Sequence, residues 1–250
     1  MEAYTSFAQV YDLFMDNVPY EEWGKYLSEL FASYGIDEGL ILDLGCGTGK
    51  LAQYLTEQGY DLIGIDNSME MLEIAKENTD ESILYIAQDM REFELYGTVR
   101  AIYSACDSMN YIVDEDELRG VFALANNYLD PGGIFVFDIN TPYKYRELLA
   151  ENTFAENREE GSFIWENFYD EEAEINEYDL TLYIKEEDGR FKRFEETHYQ
   201  RCYELETIHE LLEEAGLVVL EMYDAYTKNL PTKDSERVIF IAQEKLKTLK

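Results

Sequence analysis

The 250-residue chain is 46% apolar and 14% aromatic, enough to bury the core of an α/β domain with an insertion, and it does not read as disordered. A formal net charge of −34 would repel phosphate-bearing partners, so nucleic acid is not expected; the acidic face reads as a solvated surface that would welcome a cationic substrate such as an amine. Cys46, Cys106 and Cys202 show neither metal-ligand spacing nor a disulfide framework, no apolar run spans a bilayer, and Met1-Glu2-Ala3-Tyr4 lacks the start of a signal peptide; the expectation is a cytoplasmic protein with no metal and no membrane segment.

In chain order, Phe7, Val10, Tyr11 and Phe14 fall at helical spacing, and a second amphipathic run after Pro19 carries Trp23, Leu27, Leu30 and Phe31. Gly35 and Gly39 bracket the entry to a first strand over Leu40–Leu44. Leu51, Ala52 and Leu55 then mark a helix face that stops near Gly59. A second strand, Leu62–Ile65, ends at Asp66, and Ser68 is a plausible cap for a helix carrying Met71, Leu72 and Ala75. Further strands are predicted over Ile83–Ala87 and Val99–Ala105, then a helix over Glu115–Tyr128. Asp130-Pro131-Gly132-Gly133 reads as a turn before a fifth strand, Ile134–Phe137. Strands alternating with helices at this spacing imply parallel crossovers.

From Tyr143 to Tyr203 the pattern changes. A short helix is predicted over Tyr143–Leu149, then the period becomes two, with Tyr178, Leu180, Leu182 and Ile184 on one face. Phe163–Tyr169 and Phe191–Gln200 flank that strand, the latter after an Asp188-Gly189 hairpin turn, so three inserted antiparallel strands are expected. A helix over Glu204–Ala215 and strands over Leu217–Tyr223 and Arg237–Ala242 complete the chain. The division expected is a core of residues 1–142 and 204–250 with an N-terminal helical cap, and an inserted β subdomain of residues 143–203.

In open parallel sheets ligands bind beyond the carboxyl ends of the strands. Those ends carry Asp43 to Gly49, Asp66, Asp89, Cys106 to Ser108 and Asp138 to Asn140. Gly45, Gly47 and Gly49 alternate after an apolar strand, which lets the backbone approach a ligand and presents a helix N-terminus to it. Lys50 stands where the last glycine of a dinucleotide G-x-G-x-x-G would fall, which disfavours a nicotinamide oxidoreductase. Asp66 is placed to accept both hydroxyls of a ribose, or alternatively to cap the next helix beside Asn67 and Ser68. Asp89 is placed to take an adenine amino group, with Met90 either flanking the ring or packing in the core.

Leu42-Asp43-Leu44-Gly45-Cys46-Gly47-Thr48-Gly49 resembles the first signature of class I S-adenosyl-L-methionine-dependent methyltransferases. Asp66 matches that family's ribose-binding acid, Gln88-Asp89-Met90 its adenine-binding segment, and Pro131-Gly132-Gly133 its turn before the fifth strand. The resemblance implies a Rossmann-like α/β fold: a seven-stranded, mostly parallel sheet with its last strand antiparallel, helices on both faces, and the inserted antiparallel sheet. It implies S-adenosyl-L-methionine as cofactor and S-adenosyl-L-homocysteine as product. The cofactor-binding set expected is Asp43, Gly45, Cys46 and Gly47 at the first strand's end, Asp66, Asn67 and Met69 at the second, Gln88, Asp89 and Met90 at the third, and Cys106, Asp107 and Ser108 at the fourth.

Phe7-Ala8-Gln9-Val10-Tyr11-Asp12, Cys106-Asp107-Ser108-Met109-Asn110-Tyr111 and Glu195-Glu196-Thr197-His198 resemble the bacterial branch that contains glycine and amino-sugar N-methyltransferases. That implies Tyr11 and Trp23 folding over the cofactor's methionine end, and the insertion covering the substrate. Tyr111 stands where the amino-sugar enzymes carry a histidine thought to be the base, so their substrate does not transfer. Tyr111, Tyr143 and His198 are the candidate bases, each with a packing role as its alternative; Cys106 reads as a small strand-end residue, since no basic partner lies nearby in sequence. The reading is methyl transfer to a small-molecule acceptor, an amine before an oxygen. The alternatives are a protein or RNA methyltransferase and a non-catalytic cofactor-binding module.

Overall fold

The computed structural model describes residues 7–245 and Lys247. In chain order the core runs α1 (Ala8–Phe14), α2 (Tyr20–Ser33), β1 (Leu40–Leu44), α3 (Lys50–Glu57), β2 (Asp61–Asp66), α4 (Met69–Asn78), β3 (Leu84–Ala87), β4 (Val99–Ser104), α5 (Glu115–Tyr128) and β5 (Leu129–Asn140). A second group of strands follows: β6 (Thr153–Asn157), β7 (Gly161–Asp170), β8 (Ile175–Lys185) and β9 (Phe191–Arg201). The chain then returns through α6 (Leu205–Glu214), β10 (Leu217–Asp224) and β11 (Arg237–Glu244).

The seven predicted core strands form one sheet in the order β10-β11-β5-β4-β1-β2-β3. β11 runs antiparallel to both neighbours, whereas β1 to β5 pair in parallel. Strand order reverses between β1 and β4, which opens a crevice at their carboxyl ends. Both faces are apolar because both are covered. Phe135 and Phe137 of β5 pack with Phe122 of α5 and Leu212 of α6, while Ile134 and Val136 face the layer that holds Phe31 of α2 and Leu55 of α3. Among the described residues no helix is long and apolar enough to cross a membrane.

The structure departs from the sequence reading in three places. The Asp130-Pro131-Gly132-Gly133 turn lies inside β5, because the extra residues bulge: Val99 pairs with Leu129, yet Ala101 pairs with Ile134. The predicted helix over Tyr143–Leu149 is a π-helical turn, Lys144–Leu149, closed by Ala150 N–H donating to Tyr145 O at 2.7 Å. The inserted sheet has four strands, not three, in the order β6-β7-β8-β9. β6 was missed because a five-residue, mostly exposed edge strand reading Thr-Phe-Ala-Glu-Asn carries no buried alternation. The hairpin at Asp188-Gly189 forms as expected, with Gly189 at φ 80° and Asp188 Oδ1 accepting from Arg190 N–H at 3.0 Å.

α1 packs on the inserted sheet, Val10 and Phe14 meeting Leu180 and Leu182. It is tied at two points, Asp12 within the helix and Asp16 just beyond it. Arg158, between β6 and β7, donates to Asp16 Oδ1 and Oδ2 at 2.9 and 2.7 Å, and Asp12 Oδ1 accepts from Thr48 Oγ1 at 2.8 Å and Lys50 Nζ at 3.1 Å. Lys50, the residue that breaks the dinucleotide pattern, therefore links the glycine loop to the N-terminal helix.

Candidate active site

A cavity of about 260 Å³ opens at the carboxyl ends of β1, β2 and β4. Its floor is the glycine loop. Gly45, at φ 84°, leaves no room for a side chain: a Cβ there would fall 2.9 Å from Ser108 Oγ and 3.3 Å from the Met90 methyl. Gly49, at φ 76°, is closed by Tyr85, whose hydroxyl an added Cβ would strike. The loop is pinned by Gly45 and Cys46 N–H groups donating to Ile65 O at 2.7 and 3.0 Å. β1's end is thereby fixed to β2's.

Asp66 shares both readings made from sequence. It lines the cavity, and its Oδ2 accepts from Gly47 N–H at 2.8 Å while Oδ1 accepts from Ser68 N–H at 2.9 Å. The helix cap itself is Ser68, whose Oγ accepts from Met71 N–H at 3.1 Å. Burial pushes the Asp66 carboxyl up, and the N–H groups of Ser68 and Gly47 pull it back. Asp43, at the end of β1, is 3% exposed; burial raises its carboxyl to about 7 against the Tyr103 hydroxyl, which donates to Oδ2 at 2.6 Å, and the Asp66 charge adds to the rise. Asp89 lines the far wall beside Gln88 and Met90, and Arg91 grips it at 2.6 Å, holding its carboxyl low.

Cys106 and Asp107 both sit at positive φ, 60° and 54°, a backbone corner that non-glycine residues adopt only under constraint. The constraint is a buried ionic knot. Asp107 N–H donates to Asp138 Oδ1 at 3.0 Å, and Asp107 Oδ1 accepts from Arg237 Nη2 at 2.5 Å. Gln200 Nε2 of β9 donates to Asp107 Oδ2 at 2.6 Å, and Arg237 Nη1 donates to Asp138. The corner aims Cys106 and Ser108 into the cavity. Burial pushes the Cys106 thiol up, which disfavours the thiolate that a nucleophile would need.

Gly45, Cys46, Gly47, Asn67, Tyr11, Ser108 and Tyr111 also line the cavity. Five expected residues do not: Asp107, Trp23, Met69, Tyr143 and His198. Asp107 turns both oxygens away, onto Arg237 and Gln200. Trp23 stacks flat on Tyr226, ring centroids 3.9 Å apart at 5°, with the Arg237 guanidinium 5.9 Å from its ring. Met69 is exposed, because the phase of α4 turns Met71 and Leu72 inward instead. Tyr143 caps the π-helical turn outside the cavity. Tyr20 and Met71 line the cavity and were not singled out. Met71 was legible as the inward side of α4; Tyr20 gave only an aromatic one residue after Pro19, and Lys50 lies 5.1 Å over its ring.

Tyr111 ends a 3₁₀ turn, Ser108–Tyr111, and lines the cavity. Its hydroxyl lies 3.2 Å from His198 Nδ1 and against the Tyr178 hydroxyl. His198 is 2% exposed, behind Tyr111 on the inner face of β9. Two of the three candidate bases thus meet, although 87 residues separate them.

A methyltransferase domain family matches residues 41–133, the segment that builds the glycine loop and the second, third and fourth strand ends. A candidate methyltransferase of Geobacillus sp. (strain WCH70) is 34% identical over 245 residues, covering 96% of this chain and 99% of the relative. A dTDP-3-amino-3,4,6-trideoxy-alpha-D-glucopyranose N,N-dimethyltransferase of Streptomyces venezuelae is 30% identical over 146 residues, covering 58% of this chain and 60% of that protein. Among solved structures, an S-adenosylmethionine-dependent methyltransferase from Clostridium acetobutylicum ATCC 824 superposes with a TM-score of 0.87 at 29% identity, covering 98% of this chain and all of the other. The cavity at the switch point, the glycine loop under it and these relatives lead to one assignment: the chain belongs to the S-adenosylmethionine-dependent methyltransferases.

Proposed function

We propose that the chain methylates a small-molecule acceptor, an amine in preference to an oxygen nucleophile, beneath the inserted sheet, and that it works in the reducing cytoplasm. The observation that carries this is one cavity lined together by the glycine loop, Asp66 and Tyr111. Asp43, Asp66 and Asp89 line it beside Lys50 and Arg91; with Arg91 paired to Asp89 and Lys50 to Asp12, the carboxylate left to favour a cationic guest is chiefly Asp66. The Streptomyces venezuelae relative, whose name specifies an amino sugar, supports the same preference. The three cysteines are free, in keeping with a reducing compartment.

The residues present fit S-adenosyl-L-methionine. Asp66 Oδ2 accepts from Gly47 N–H and Oδ1 from Ser68 N–H, the Asn67 N–H also acts on the carboxyl, and the carboxylate has acceptor capacity left for a ribose hydroxyl. Met71, Met90 and Ile112 supply apolar surface for a base, and Gly45 and Gly47, which line the cavity without side chains, let the backbone approach the methionine end. When bound, the cofactor supplies a methyl group on a cationic sulfur, an activated leaving group. The protein's share is then positioning and exclusion of water: Tyr11 and Tyr20 wall the cavity, and Tyr111, in the same lining, is the candidate to take the acceptor's proton.

Calorimetric titration with S-adenosyl-L-methionine, S-adenosyl-L-homocysteine and NAD tests the first half; binding of NAD alone would refute it. A methyl-transfer screen over amines, amino sugars and small acids tests the second. Turnover confined to carboxylic acids would overturn the amine preference, and tight cofactor binding with no turnover anywhere would favour a binding module.

A further inference from the structure

The stretch after β4 supplies Cys106, Ser108, Tyr111 and Ile112 to the cavity lining, and it is gripped by the end of β9 and the residues just beyond. Gln200 Nε2 donates to Asp107 Oδ2 at 2.6 Å. Arg201 O accepts from Asn110 Nδ2 at 2.9 Å, and Arg201 Nη1 donates to Val113 O at 3.1 Å. The Tyr203 hydroxyl donates to Ile112 O. β9 in turn pairs with β8 along its whole length, from Phe191 against Lys185 to Arg201 against Ile175. One wall of the cavity is thus carried by the last strand of the inserted sheet.

Gln200 is the grip with a directional requirement. It is 2% exposed, so both ends of its amide need partners. Nε2 faces the Asp107 carboxylate, and Oε1 accepts from the Tyr145 hydroxyl at 2.9 Å. Tyr145, buried in the π-helical turn, supplies the donor that the amide oxygen needs; the amide turned over would set an oxygen against a carboxylate. Asp107 then has Oδ2 on Gln200, Oδ1 on Arg237 and its N–H on Asp138. Arg237 and Asp138 belong to the core sheet, whereas Gln200 comes from the insertion. Held on both oxygens, Asp107 keeps its φ of 54° beside Cys106 at 60°, the corner from which Cys106 and Ser108 enter the cavity lining.

We propose that Gln200 is a positioning residue for the cofactor: by holding Asp107 it sets the corner that places Cys106 and Ser108 in the cavity wall, and so couples the inserted sheet to cofactor binding. This deepens the methyltransferase reading above and rests on it. Gln200 does not itself line the cavity, so its effect on affinity passes through Asp107. The coupling is reciprocal by linkage. A cofactor that tightens the corner steadies the end of β9, and a guest that shifts β9 changes the affinity for the cofactor.

Two substitutions and one measurement on the wild type test this. Gln200→Leu keeps the bulk and removes the donor, and should weaken S-adenosyl-L-homocysteine binding about tenfold by calorimetry, well below the variant's melting temperature. Gln200→Glu keeps the shape and sets a second carboxylate against Asp107. Like charges this close raise the proton affinity of the pair, and a shared proton restores the donor. The groups facing the pair are Arg237 of β11, Asp138 of β5, Lys144 and Tyr145 of the π-helical turn, and His198 on the same face of β9. All of them are present in the wild type, so each variant is compared with the wild type at the same pH. The Gln200→Glu deficit should be large at about pH 9 and shrink toward about pH 5.5, whereas the Gln200→Leu deficit stays constant. In the wild type, S-adenosyl-L-homocysteine should slow hydrogen–deuterium exchange at residues 106–113 and also at residues 200–203. Unchanged affinity in Gln200→Leu, a Gln200→Glu deficit that does not shrink on acidification, or protection that stops short of residues 200–203 would each overturn the proposal. No binding by the wild type would instead sink the parent reading. Should Gln200→Leu not fold, Gln200→Glu and the exchange measurement decide the outcome.

Discussion

Replacing Arg237 with methionine removes the one cation from the knot that shapes the cavity's edge, while keeping much of its volume. Arg237 is 15% exposed, Asp107 19% and Asp138 1%, so two carboxylates would be left close together with little access to water. Breaking a buried pair by deleting one partner costs about 3–5 kcal/mol, and the residual exposure here points to the lower end, about 3 kcal/mol. For a chain of this length that corresponds to a fall in melting temperature of roughly 6–12 °C. The pH dependence sharpens the test. Burial pushes the Asp138 carboxyl up, and Arg237 is the charge that pulls it back. In the variant its folded pKa stands further above the unfolded value of about 3.9, so the carboxylate takes up a proton as pH falls and the repulsion disappears. The gap between variant and wild type should therefore be largest above neutrality and shrink toward about pH 5. Scanning calorimetry of both proteins at the two pH values reads this. A loss below about 1 kcal/mol, or a gap that widens on acidification, would refute the account. Because the same knot holds Cys106 and Asp107 at positive φ, cofactor affinity should fall with stability.

Two further predictions concern the loop and the strand ends. Asp66→Ala should weaken S-adenosyl-L-methionine binding at least about tenfold by calorimetry, because a charged acceptor is worth roughly 1.5–3 kcal/mol to a hydroxyl pair; unchanged affinity would reduce Asp66 to a brace for Gly47 and Ser68. Asp43, with a folded carboxyl raised to about 7, lowers stability progressively as pH rises from about 4 to 7 and fully above that. Asp43→Asn keeps an oxygen for the Tyr103 hydroxyl and should raise the urea midpoint at about pH 8, with the gain fading toward about pH 4; an equal gain at both values would show that the charge of Asp43 is not the cause.

Much of the site was legible because its backbone is local. Gly45 to Gly49 must form a close loop whatever surrounds them, and the acidic strand ends at Asp43, Asp66 and Asp89 follow from where each apolar run stops. The misses share a different cause. Trp23 and Tyr20 lie three residues apart in one amphipathic run, and nothing in that run says which ring faces the ligand and which stacks on Tyr226. Asp107 stands at a strand end like the others, but its partners Arg237 and Gln200 lie 130 and 93 residues away.

By itself the sequence determined the class of fold, the seven core strands and the glycine loop at the end of β1, because period, turn chemistry and glycine spacing act over a few residues. Tertiary structure alone decided the rest. It made β6 a strand by pairing it with β7, it turned Lys50 from a departure in a motif into a tether for α1, and it set His198 between Tyr111 and Glu196. Those contacts depend on how the inserted sheet lies over the carboxyl ends of the core, and no local pattern of residues encodes a distance across the chain.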